Sequence, residues 1–271
     1  MTATSTTAPR GGEWLDSWDP ESPSGWDSRL AWKTLWVTTF CLTLAFIAWF
    51  LPSAIIPKLN ALGYTFTKNE LYWMAAMPGL SAGLFRLAWM VLPPILGTRR
   101  LVSLTTGLLI FSTLGWGVRV QSPTAPYWEL MMLAFLAGIG GGAFSGFMPS
   151  TSYFFPRSKQ GTALGLQAGL GNFGVSLVQL LTPWLIGLSA LALFGGSQKM
   201  AVPGKQPREV WFQNAAFVWI PLMVIGAALA WTMLRSVPIT ANGWSCRSRW
   251  DSAGLLRTSW PYRLWRKSSV A

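Results

Sequence analysis

The chain is most informative in what it lacks. Its 271 residues contain no histidine, two cysteines and only nine acidic residues against twenty-one lysines and arginines. Without histidine, imidazole catalysis and imidazole metal ligation are both excluded. Cys41 lies inside an apolar run and Cys246 in a polar tail, so neither metal-ligand spacing nor a disulfide is indicated. No carboxylate pair or activated thiol supports an enzyme reading. Charged residues make up 11% of the chain, hydrophobic residues 51%, and the mean hydropathy is +0.37, a balance that excludes an ordinary soluble domain. A net charge of +12 therefore reads as a membrane-topology signal rather than a nucleic-acid footprint.

What is present is a series of six long uncharged runs. Lysines 33 and 58 bound the first, Glu70 and Arg99 the second, Arg100 and Arg119 the third, Glu129 and Arg157 the fourth, Lys159 and Lys199 the fifth, and Glu209 and Arg235 the sixth. At about 1.5 Å per residue each is long enough to cross roughly 30 Å of hydrocarbon. The expectation is an all-α integral membrane protein with spans near 34–57, 70–96, 101–119, 128–154, 160–193 and 210–235, and no strand-like alternation. Residues 1–30 read as a mobile tail with no apolar core, and residues 237–271 as a basic, disordered tail. Trp14, Trp18 and Trp26 read either as interfacial, loosely packed aromatics or as a partner motif. The basic tail would either lie on anionic headgroups or serve no role.

Charge asymmetry predicts the orientation. With the N-terminus cytoplasmic, the inside segments carry Arg10, Arg29, Lys33, Arg99, Arg100, Arg157, Lys159 and the seven cations from Arg235 to Lys267. Outside lie only Lys58, Lys68, Arg119, Lys199, Lys205 and Arg208. Both termini are expected in the cytoplasm.

Arg86 is the sharpest single signal, since it alone interrupts a membrane run. A guanidinium near a span centre costs roughly 2.5–3.5 kcal/mol and needs a partner. It stands roughly 20 Å along the helix from either flanking charge, too far to snorkel. No Asp or Glu lies well inside any run, so an anion supplied by a ligand is the expected counter-charge. Two glycine stripes follow: Gly138, Gly142 and Gly146 in the fourth run, and Gly161, Gly165 and Gly169 in the fifth. Small residues at this spacing let helix backbones approach closely, so each face is expected to meet the other or a neighbour. Gly171 and Gly174 break the rhythm beside Asn172, either admitting a small ligand to the main chain or loosening the helix. Asn172 is either interhelical glue or a ligand contact, and Gln167 and Gln179 are weaker candidates of the same kind. Trp49, Phe46 and Phe144 are candidate cavity walls, and Pro52, Pro57 and Pro149 candidate kinks.

Several stretches resemble one family. W-D-P-E at Trp18–Glu21, F-T-K-N-E-L-Y-W-M-A-A-M-P-G-L at Phe66–Leu80 and P-P-I-L-G-T-R-R after Arg86 precede F-F-P-R-S-K-Q-G-T-A-L-G-L-Q-A-G-L-G-N-F-G, which is similar to the nitrate signature of the nitrate/nitrite porters of the major facilitator superfamily. The resemblance runs through most of Trp18–Arg235. It implies one six-helix half of an alternating-access carrier in a bacterial cytoplasmic (inner) membrane, without cofactor, metal or nucleic acid, moving nitrate or nitrite. Arg86 would bond the planar oxyanion with Asn172 as a second donor, Phe144 and Phe46 as walls, and Gly165, Gly169, Gly171 and Gly174 as a sliding face. The chain departs from the family's asparagines at Ala143 and Gln167, and from its twelve spans in length. Two readings follow: half of a carrier completed by a complementary half or a second copy, or a truncated, non-transporting fragment. The absence of carboxylates inside the runs favours anion exchange over proton coupling.

Overall fold

The protein is described by a computed structural model covering residues 14–15, 18–22, 25–189, 194–201, 204 and 206–237. The expected tail at 237–271 lies outside the described residues apart from Val237, as do residues 1–13. Among the described residues six helical spans are present, made of eight α-helices: α1 (Ser28–Ile55), α2 (Lys68–Val91), α3 (Pro93–Arg119), α4 (Tyr127–Ala137), α5 (Ile139–Ser152), α6 (Arg157–Leu185), α7 (Asn214–Phe217) and α8 (Trp219–Met233). Each span is long and apolar enough to cross a membrane.

Helix boundaries follow local chemistry. The Asp27 side chain accepts from the backbone N–H groups of Arg29 and Leu30 at the start of α1. Thr67 and Glu70 form a reciprocal capping box at the start of α2. Pro93 opens α3 at a position where no intrahelical N–H is needed. The chain turns within α3 at Gly97, whose φ of 72° a side chain would strain. Span four breaks at Gly138 into α4 and α5. Span five ends at Leu185, earlier than the expected 193, and span six begins at Asn214 rather than 210. Between them lies a short antiparallel pair that the lack of alternation did not suggest, β1 (Gln198–Met200) with β2 (Arg208–Val210). Hydrogen bonding between three-residue strands leaves little pattern in a sequence.

The packing is made by glycine and by small hydroxyls, as expected where lipid offers no hydrophobic drive between helices. α1 and the α4–α5 span form the centre. A side chain at Gly140 would strike the Ala45 carbonyl of α1, and one at Gly142 would meet Phe85 of α2. The Cys41 thiol of α1 donates to the Gly226 carbonyl of α8 (3.4 Å), and Ser103 and Ser112 of α3 donate to the carbonyls of Ala227 and Leu133. The Trp89 indole N–H reaches Thr105 Oγ1 at 2.9 Å. At the end of the bundle opposite Arg99 and Arg157, the Tyr64 hydroxyl donates to the Arg119 carbonyl (2.7 Å). Burial pushes its pKa up to about 12, so it stays a donor.

The N-terminal segment is where expectation and structure differ most. Its described part is fastened across the basic end of the bundle. Leu15 N donates to the Ser236 carbonyl (2.9 Å), Trp18 Nε1 to the Tyr153 carbonyl (3.1 Å) and Trp26 Nε1 to the Phe154 carbonyl (2.9 Å). Glu21 Oε1 accepts from the Arg157 backbone N–H at the first turn of α6 (2.9 Å), and Lys159 Nζ lies 4.4 Å from the Trp26 ring. Leu15, Trp18 and Trp26 cover a small core of Leu35, Phe154 and Phe155. The tryptophans are therefore anchors of the fold itself, a role that a composition rich in Ser, Pro and Gly conceals.

Candidate functional site

Arg86 is carried on α2, and its side chain crosses to α5. Nε donates to the Gly141 carbonyl at 3.3 Å. Two rings flank the guanidinium: its carbon lies 5.9 Å from the Trp49 ring centroid on α1 and 5.7 Å from that of Phe144 on α5, within cation–π range. The buried Phe46 touches both rings, with centroids 5.4 Å from Trp49 and 6.1 Å from Phe144. Trp49 is itself oriented, since its indole N–H donates to the Pro78 carbonyl (2.9 Å).

The triple glycine is what allows this convergence. A Cβ on Gly141 would stand 2.5 Å from the Ala82 Cβ and 2.7 Å from the Trp49 ring, so only hydrogen fits between α1, α2 and α5 at this level. Arg86 keeps four of its five N–H donors beyond the Gly141 bond. No carboxylate pairs with it among the described residues; the one ion pair shown there, Arg119–Glu129, lies at the far end of the bundle. The site is thus a fixed cation with free donors, walled by aromatic faces.

Other expectations change. Arg86 is expected to be buried, yet it is exposed on one flank. The reason is visible in its neighbours: Leu80, Leu84, Leu87 and Met90 of α2 and Leu170, Phe173 and Leu180 of α6 are also exposed, so these helices present faces that this chain does not cover. Asn172 is exposed as well, and its Nδ2 donates to the Ala168 carbonyl of its own helix (2.8 Å). No hydrogen bond joins it to Arg86 among the described contacts. Gly171 faces Leu42 of α1, with a Cβ position 2.7 Å from Cδ2, so it serves helix packing and leaves no room for a ligand. Gly174 does the same against the Thr43 carbonyl. Gly138, Gly142 and Gly146 meet Ser81 and Ala82, Phe85, and Trp89 and Leu101 respectively. The second stripe differs: nothing lies within 4 Å of a Cβ on Gly161, Gly165 or Gly169, because these positions point away from the bundle. The two stripes do not meet each other.

Gln167 proves to be interhelical glue. It is fully buried, and its Nε2 donates to Thr38 Oγ1 (3.1 Å), which is 2.9 Å from Thr151 Oγ1. This chain of polar atoms ties spans one, four and five. Thr38 and Thr151 escape sequence reasoning because threonine is unremarkable in a membrane helix. The Gly141 carbonyl escapes it because a main-chain acceptor leaves no trace in side-chain pattern. Gln179 likewise reaches Ser53 Oγ on α1 (2.7 Å).

Comparison with known proteins decides the family. The Major Facilitator Superfamily profile matches residues 38–249. The chain belongs to the major facilitator superfamily. Among similar members, the probable nitrate/nitrite antiporter NarK2 of Thermus thermophilus is 56% identical over 232 residues, covering 85% of this chain and 52% of that protein. The nitrate/nitrite transporter NarU of Escherichia coli is 36% identical over 82% of this chain and 48% of its own length. The probable nitrate transporter NarT of Staphylococcus aureus is 27% identical over 57% of this chain and 38% of its own. The chain spans about half the length of the curated relatives it matches. As a superfamily member with six candidate spans, it is a multi-pass membrane protein.

Proposed function

We propose that this chain supplies one half of an oxyanion site in an alternating-access carrier for nitrate or nitrite, with both termini in the cytoplasm. The observation that carries the reading is the Arg86 guanidinium, held by the Gly141 carbonyl and two aromatic faces yet left without a carboxylate among the described residues. A planar monovalent anion would accept two parallel N–H bonds from it and neutralise its charge. Phe144 and Trp49 would sandwich the ion's plane, with Phe46 behind them, and Asn172 would donate its remaining amide hydrogen from α6. The names of the relatives agree on substrate class and support carriage rather than catalysis. The exposed faces of α2 and α6, with Gly161, Gly165 and Gly169, would be the surface on which a complementary six-helix half or a second copy slides.

Among the described residues no carboxylate stands beside Arg86, which supports exchange of one anion for another over proton coupling. The experiment is uptake of labelled nitrate into vesicles loaded with nitrite, comparing this chain alone with this chain plus the part of the Thermus relative that it does not match. Uptake in the second case, abolished by Arg86→Ala, supports the proposal. Uptake unaffected by that substitution refutes the site. Orientation is tested separately by labelling single cysteines at Ser122 and Ser158 from outside intact cells: only the first should react.

A further inference from the structure

A second site lies at the opposite end of the bundle from the N-terminal segment. Where α3 ends and α4 begins, the two helices leave a cavity of about 420 Å³ open to the surroundings. Its walls are apolar, formed chiefly by Phe111, Leu114, Val118 and Met132. Gly115 shapes it: Leu133 packs where a side chain at 115 would stand, so the surface beside them dips. At the mouth the character changes abruptly. Arg119 Nη2 and Glu129 Oε2 form an ion pair at 2.6 Å, with the Arg119 side chain 44% and the Glu129 side chain 19% exposed. Trp128, 64% exposed, stands beside them.

This arrangement sits at the last residue of one membrane span and the first turn of the next, the level at which tryptophan and charged side chains meet lipid headgroups. An apolar trough running from a charged mouth towards the membrane interior fits a molecule with the same division. We propose that the groove binds one phospholipid with an ethanolamine-type zwitterionic headgroup. Its acyl chain lies along the apolar walls, its phosphate accepts from Arg119, and its ammonium donates to Glu129.

Charge complementarity selects this occupant. The Arg119–Glu129 pair is neutral as a unit, so it offers no net field to an anionic lipid but matches a headgroup with one charge of each sign. The guanidinium has donors beyond the one directed at Glu129, and a carboxylate accepts at several lone-pair positions, so both partners keep bonding capacity. A primary ammonium has hydrogens to donate to Glu129, and a quaternary choline has none. The groove should therefore prefer ethanolamine over choline as well as over glycerol headgroups. The inference uses the membrane spans but not the nitrate reading, and neither depends on the other.

The test is native mass spectrometry of the full chain, released from detergent holding equal amounts of phosphatidylethanolamine, phosphatidylcholine and phosphatidylglycerol with identical acyl chains. The expected result is one retained lipid per chain, with ethanolamine favoured over the other two by roughly two- to fivefold, as for a partly exposed ion pair. Glu129→Gln preserves shape while removing the acceptor charge. It should abolish the preference over choline and raise glycerol binding, because Arg119 is then uncompensated. Leu114→Trp, which fills the trough, should lower retention of all three, and Arg29→Ala, at the opposite end of the bundle, should change nothing. Equal retention of the three lipids by the unaltered chain, a preference for the glycerol headgroup, or an ethanolamine preference that survives Glu129→Gln would each overturn the proposal.

Discussion

Replacing Arg86 with alanine tests the anion site most directly, and the structure sets the size of the effect. In this chain alone the guanidinium is exposed, so an anion pairing with it gains only about 0.2–1 kcal/mol, less than roughly fivefold in affinity. Once a second half covers the face, the same contact becomes a desolvated, two-armed pair. Hydrogen bonds to charged groups contribute about 1.5–3 kcal/mol each, so losing two should weaken binding by about 3–6 kcal/mol, or roughly 10²–10⁴-fold. Arg86→Lys keeps the charge but not the fork, and should cost about one arm, roughly 10- to 100-fold. The assay is nitrate's protection of the protein against thermal unfolding, titrated for the chain with and without the unmatched part of the Thermus relative. The unfolding midpoint without nitrate should move little, because the exposed Arg86 makes one long hydrogen bond to the fold and two ring contacts near the outer limit of cation–π range. Undiminished protection in the covered Arg86→Ala protein would falsify the reasoning. So would strong protection of the uncovered chain, which would place the site elsewhere.

The other expectations concern packing. Gly140→Ala and Gly174→Ala drive a methyl group onto the backbone carbonyls of Ala45 and Thr43, and each should lower stability by about 1–3 kcal/mol in detergent unfolding. Gly161→Ala, Gly165→Ala and Gly169→Ala meet nothing and should leave the fold within about 0.5 kcal/mol, yet impair uptake by the completed carrier if their face slides on the second half. A double-mutant cycle between Thr38→Val and Gln167→Leu should return a coupling of about 0.6–1.7 kcal/mol, the range of interhelical bonds in membranes, and a value near zero removes the proposed tie. Trp18→Ala with Trp26→Ala should expose the first turn of α6 to trypsin at Arg157 and Lys159, whereas an unchanged digestion rate would mean that the N-terminal segment does not protect it.

The division between what the sequence disclosed and what it concealed has a physical logic. The six spans were legible because hydrocarbon imposes length and apolarity on every crossing helix, and charges punctuate the ends. Arg86 was legible because a charge inside such a run is costly, and Phe144 and Trp49 flank it, with Phe46 packed against both rings. Burial was not legible, since it depends on what covers a face rather than on the residue. Hence Arg86 and Asn172 stand exposed, and identical glycine spacing yields one packed stripe and one open one. Gly171 shows the same limit: a residue beside a ligand candidate can be turned towards a neighbouring helix by 100° of helical rotation. The threonine–glutamine tie depends on three elements converging, and no local window contains it.

The N-terminal fastening has a consequence for the order in which the molecule is made. Trp18, Glu21 and Trp26 bond partners 135, 136 and 128 positions further along the chain, and Leu15 pairs with Ser236 after the last span. The segment from Leu15 to Trp26 therefore cannot make these hydrogen bonds until the fourth and fifth spans exist, and Leu15 completes its own only after the sixth. Such long-range closures are slow and come late. A segment made before the spans it binds is thus the last to find its place, and its docking marks the moment at which the six-helix unit has come together.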